Sequence, residues 1–156
     1  MLRRNALVSV LITAAMLGVT GSAMAADDKL NSAISDTLHR YADALKASDV
    51  EAVGEVYESD AVFMPPNAPP IEGAAAVKGA YGQLFKAVKL DLAFEIDEIH
   101  EFGSDWAFVR TQSKGTAQPA ADKGEPRPEL NKEVFLMHRA PTGQWLISRY
   151  IFSAIK

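Results

Sequence analysis

Apolar residues recur at helical spacing along the first half of the chain and at every second position along the rest. Leu30, Ile34, Leu38, Tyr41 and Leu45 make one apolar stripe with polar residues between them, which predicts a first helix. Ser48 with Glu51 three positions on reads as a capping box for a short second helix, with Val53, Val56 and Tyr57 turned inward. Residues 61–64 predict a short strand, stopped by Pro65-Pro66 and Pro69-Pro70. A third helix is expected after Gly73, with Val77, Tyr81, Leu84, Phe85 and Val88 on one face.

Beyond Lys89 the period drops to two. Residues 90–100, 106–117, 131–140 and 144–155 predict four long strands. Gly103-Ser104-Asp105 and Pro141-Thr142-Gly143 supply turn chemistry between neighbours, and 118–129, with Pro119, Pro126 and Pro128, reads as a solvated loop. Helices first and strands afterwards predict an α+β fold, three N-terminal helices packed on the concave face of a curved antiparallel sheet. The last two strands are apolar on both faces, whereas a sheet with one face in water alternates. Val134, Leu136, Ile147 and Ile151 are left needing a cover, and a homodimer through the outer sheet face is the simplest one.

The amino terminus reads as a secretory signal: Arg3 and Arg4, an apolar run over 6–19, then Ala23-Met24-Ala25 as the cleavage site. The expected organisation is a signal peptide over 1–25 and one domain over 26–156, starting at Ala26, in the periplasm or secreted, with no stable membrane anchor after cleavage. The net charge is −4, and losing Arg3 and Arg4 makes the remainder more acidic, so no basic track suits nucleic acid. The absence of cysteine excludes thiol catalysis and thiolate metal sites. His39, His100 and His138 show no metal-ligand spacing, and no phosphate loop or nucleophile elbow occurs, so no metal and no cofactor is expected.

The segment His39-Arg40-Tyr41-Ala42-Asp43-Ala44-Leu45, followed by Tyr81 after Gly73, resembles the nuclear transport factor 2-like superfamily. Ketosteroid isomerase and the SnoaL-like proteins, including the SgcJ/EcaC type, belong to that superfamily. The resemblance implies a cystatin-like cone around one small-molecule pocket, with Tyr41 at the oxyanion-hole tyrosine and Tyr81 at a second pocket tyrosine. It also implies that Pro65 stands where the isomerase has its Asp base, and Phe135 where it has its protonated Asp. The isomerase route needs that base, so ketosteroid isomerisation is not expected. The Met64-Pro65-Pro66-Asn67 loop is expected as a stiff rim at the cone's mouth.

By strand parity Phe108, Arg110, Gln112 and Lys114 are assigned to the pocket side of their strand, Glu133 to the face of Phe135, and Ser148 to that of Tyr150. The expected ligand site is Tyr41, Tyr81, Phe108, Arg110, Phe135, Met137, Tyr150 and Phe152. Arg110 then either meets an acidic or carbonyl ligand or pairs with Glu133 across the sheet. Tyr41, His100, Arg110 and Glu133 are the candidate catalytic groups, His100 from the pocket mouth. The first expectation is an exported domain binding a mostly apolar small molecule with one polar or acidic end. The alternatives are an isomerase, cyclase or hydro-lyase of the same fold, and a periplasmic protein-interaction module.

Overall fold

The computed structural model describes residues 20–121 and 124–155, with side chains from Asp28. The apolar run over 6–19 lies outside them. No helix among the described residues is long and apolar enough to cross a membrane.

The first helix, α1 (Thr20–Ala47), buries Ile34, Leu38, Tyr41 and Leu45, the stripe that the spacing predicts. The short α2 (Val50–Glu55) is capped by Asp49, whose carboxylate accepts from Ala52 N–H, and not by Ser48. Ser48 instead takes the left-handed turn between the two helices, with φ 54°. Tyr57 is not helical: it opens β1 (Tyr57–Met64), a longer strand than the apolar run alone suggests. The two-residue β2 (Ile71–Glu72) doubles back on β1 before α3 (Ala74–Ala87).

Four long strands follow: β3 (Val88–Phe102), β4 (Trp106–Pro119), β5 (Arg127–Arg139) and β6 (Trp145–Ala154). They form a meander, and β1 joins its far side by pairing parallel to β6, giving the order β2-β1-β6-β5-β4-β3. The helices cover the concave face of this curved, unclosed sheet, with α1 packed chiefly on β3. The expected loop over 118–129 is shorter than its prolines suggest, because Ala117 pairs with Arg127 and Thr116 with Pro128.

Two bulges decide which side chains enter the cone. Between Leu136 and Met137 the β5–β6 register shifts, with Leu136 opposite Arg149 and Met137 opposite Ile147. The extra residue, Ser148, lets Ile147 and Tyr150 both face inward. Ile147 is therefore fully buried core rather than part of the outer face, a correction to the uninterrupted alternation. A second shift between Ile96 and Glu98 turns Ile99 inward and leaves His100 exposed on the convex side, opposite Phe108.

The parity assigned to β4 is also reversed. Ala107, Val109, Thr111 and Ser113 are buried on the concave face, while Phe108 and Arg110 face outward with Gln112 and Lys114. The reason lies in the neighbouring strand: Ala107 pairs with Met137, Val109 with Phe135, Thr111 with Glu133 and Ser113 with Asn131. The inner surface of a bent sheet is crowded, so small residues on β4 make room for large ones on β5. Gly115 continues the row, and a Cβ there would lie 1.9 Å from the Asp91 carbonyl oxygen.

Candidate functional site

All four tyrosines of the chain, Tyr41, Tyr57, Tyr81 and Tyr150, are buried in the cone. Tyr41 arrives from α1, Tyr81 from α3, Tyr57 from the start of β1 and Tyr150 from β6. The Tyr81 hydroxyl hydrogen-bonds to that of Tyr41, and lies 3.4 Å from that of Tyr57. Three phenolic protons serve two contacts, so this cluster keeps one O–H to offer a ligand. The rings pack edge-on around Tyr41, which meets Tyr57, Tyr81, Phe135 and Tyr150 at interplanar angles of 82–89°. Burial pushes the Tyr81 phenol up to about 12 and holds the other three well above the ordinary value. These hydroxyls are hydrogen-bond donors and acceptors, not bases, near neutral pH.

Beside them, Glu133 is only 3% exposed. Its carboxylate accepts from Thr111 Oγ1 at 2.5 Å and from the Tyr150 hydroxyl at 3.1 Å. On the next rung, Asn131 donates its amide to Ser113 Oγ at 3.1 Å. Burial raises the Glu133 carboxyl above its ordinary 4.5, opposed by hydrogen bonds from Thr111, Ser113 and Tyr150. The folded protein thus holds this proton to higher pH than the unfolded chain does, and stability falls as pH rises from 4.5 through the folded value. Glu133→Gln removes that slope. The melting temperature of the variant relative to the unaltered protein should climb across this window and level off above it, which thermal denaturation over a pH series checks.

A cavity of about 290 Å³ opens beside the tyrosines. Tyr41, Tyr81, Tyr150, Phe63 and Phe152 supply aromatic wall, Leu45, Leu90 and Leu92 aliphatic wall, and Glu129 and Asn131 polar wall. Its mouth lies between the end of α3 at Leu84 and the strand ends at Val88, Ala117 and Glu129. The proline-rich loop does not border this cavity; from that side of the chain only Phe63 reaches it.

Of the residues assigned to the ligand site by sequence, Tyr41, Tyr81, Tyr150 and Phe152 line the cavity. Phe135 and Met137 face the same way but are fully buried beneath it as core. Phe108 and Arg110 are on the opposite face. Arg110 bonds Asp97 at 2.7 Å and Glu98 at 3.1 Å, so neither alternative held open for it, an acidic or carbonyl ligand in the cone or a pair with Glu133, is met. His100, also outside, sits edge-on to Phe102 at 5.0 Å. Sequence reasoning missed Tyr57, Asn131 and Glu129. The signal for Asn131 and Glu129 was the polar alternation Glu129-Asn131-Glu133 on the face of β5 already assigned to Phe135.

A sequence model of the SnoaL-like domain matches residues 38–146. The chain belongs to the SnoaL-like domain family. Among solved structures, this SnoaL-like chain is similar to a ketosteroid isomerase-like protein from Erwinia carotovora atroseptica. The two are 34% identical with a TM-score of 0.73, over 80% of this chain and 95% of that one. A conserved protein from Planctomyces limnophilus is 22% identical with a TM-score of 0.71, over 83% and 98% of the two chains. A nuclear transport factor 2-like superfamily protein from Salmonella enterica serovar Typhimurium is 18% identical with a TM-score of 0.71, over 83% and 94%. The last two likenesses show the fold alone. No curated protein matches the chain significantly.

Proposed function

We propose that this SnoaL-like domain is an exported binding domain whose cone holds a small, mostly apolar molecule. The ligand is oriented by an oxygen or nitrogen at the tyrosine cluster. The observation that carries this reading is the cavity of about 290 Å³, walled by aromatic and aliphatic side chains and bordered by hydroxyl groups. A filled aromatic core would have favoured an interaction module instead. The export half of the reading rests on the amino-terminal sequence.

Catalysis has narrower support. Pro65 does not line the cavity and Phe135 is buried core, so the proton transfer of ketosteroid isomerase lacks its Asp base at the first place and its protonated Asp at the second. What favours a different reaction is Glu133, a buried carboxyl in contact with the cavity-lining Tyr150. Acid–base chemistry by that route would pass through the Tyr150 hydroxyl.

Ala117→Trp narrows the cavity from a lining residue that is not itself one of the tyrosines. Naphthylmethanol, a neutral aromatic alcohol, should bind the unaltered protein at one site, followed by its fluorescence. The variant should bind it at least about tenfold more weakly, since that corresponds to losing only 1.4 kcal/mol of contact. Equal binding by both proteins would remove the cone as the site.

The convex face carries Val62, Met64, Val134, Leu136, Phe108 and Ile151, the last 47% exposed. A second copy of the chain is the proposed cover, face to face through the sheet. Light scattering at micromolar concentration should give twice the chain mass, and Leu136→Glu should halve it. A monomer in both cases would show that this face tolerates water.

A further inference from the structure

The polar wall of the cavity offers more acceptors than donors, and no cation. The Tyr150 hydroxyl gives its proton to Glu133, and the Asn131 amide gives one to Ser113. What these two residues keep for a ligand is one Asn131 N–H and, in the majority, oxygen lone pairs on the Tyr150 phenol and the Asn131 carbonyl. Glu129 adds a carboxylate at the mouth, and Glu133 stands behind Tyr150. No Lys, Arg or His lines the cavity among the described residues. The one arginine expected there, Arg110, is committed to Asp97 and Glu98 on the other face.

Aromatic faces reinforce this polarity. Phe63 stacks on Tyr81 and on Tyr150, each with ring centroids 5.4 Å apart, and Phe152 continues the stack 5.6 Å from Tyr150. The negative faces of such rings attract a cation, and more strongly where water is excluded. An ammonium in the cavity would have π faces, lone pairs and a carboxylate around it. A carboxylate ligand would be stripped of water with no cation to meet it and with two glutamates nearby, a costly transfer.

We infer that the cavity takes a protonated amine on a small aromatic or aliphatic body, its ammonium against the Tyr150, Asn131 and Glu129 wall, and that it rejects carboxylic acids. The inference rests on the reading of the cone as a ligand site and specifies the ligand's charge. At about 290 Å³ the cavity is at the small end of ligand pockets, which limits the body to one or two rings.

Three probes of one shape and different charge test it: naphthylmethylamine, naphthylmethanol and naphthoate, titrated calorimetrically into the full chain at neutral pH and moderate salt. The amine should bind about tenfold tighter than the alcohol, and naphthoate at least about tenfold weaker than the alcohol. Glu129→Gln, at the solvent-facing mouth, should weaken the amine several-fold more than it weakens the alcohol. Ala117→Trp should weaken the amine as it does the alcohol. Naphthoate binding as well as the amine would overturn the inference while leaving the cone as a ligand site. So would amine binding that survives Ala117→Trp, since that marks attachment to the acidic surface. Failure of all three probes to bind would sink the ligand-site reading, and this inference with it.

Discussion

Val109→Asp should abolish folding or lower stability by at least about 3 kcal/mol, the scale of an unpaired buried charge. Its neighbour Arg110→Leu should change stability by no more than about 1 kcal/mol, because its ion pairs are exposed to water and salt. Val109 has no exposed surface and pairs with Phe135 on the concave face, whereas Arg110 reaches Asp97 and Glu98 on the convex face. Urea denaturation of the two variants separates the faces of β4 directly. Ligand binding should survive Arg110→Leu. A folded Val109→Asp with an unstable Arg110→Leu would restore the parity that the sequence suggests and undo the site described above.

Phe135→Ala should cost about 3–5 kcal/mol, the usual range for removing a buried aromatic ring. Phe135 has no exposed surface and lies parallel to Tyr150, with centroids 4.3 Å apart and an interplanar angle of 2°. Its edge contacts to Tyr41 and Phe94 tie β5 to α1 and β3. The void would open directly beneath the tyrosines, so surrounding side chains can fill it only by moving the cluster. Chemical denaturation gives the stability. A loss below about 1 kcal/mol would mean that the site collapses freely, and that the tyrosines are less constrained than their packing implies.

The element order, the inward stripe of α1 and the four long strands were legible in the sequence because hydrophobic period is a local property. The faces of the strands were legible only where no bulge intervened. Phe135, Met137, Tyr150 and Phe152 were placed inward correctly, but Ile147 and His100 each lie across a one-residue register shift, and such a shift exchanges the faces beyond it. On β4 the error had another origin. Phe108 outweighs Ala107 in any count of hydrophobicity, yet the concave side prefers the smaller residue when Phe135 and Met137 stand opposite. That preference belongs to the pair of strands and is invisible in either alone. Tyr57 was missed because the helix was read two residues too long, which placed it on a helix face instead of in the ladder beside Ile147.

The pairing of β1 with β6 has a consequence for how the chain reaches this state. β1 forms early in the sequence, yet its main-chain partners are the two residues of β2 and the strand that comes last. Until β6 has been made, the helices with β1 and the β3–β5 meander are two pieces with no ladder between them, and Ile147, Tyr150 and Phe152 are missing from the core that would join them. Sequence-distant closure of this kind slows the final step, because the loop entropy is lost before any contact rewards it. The cone should therefore close only once β6 has paired with β1, after the helices and the meander have formed.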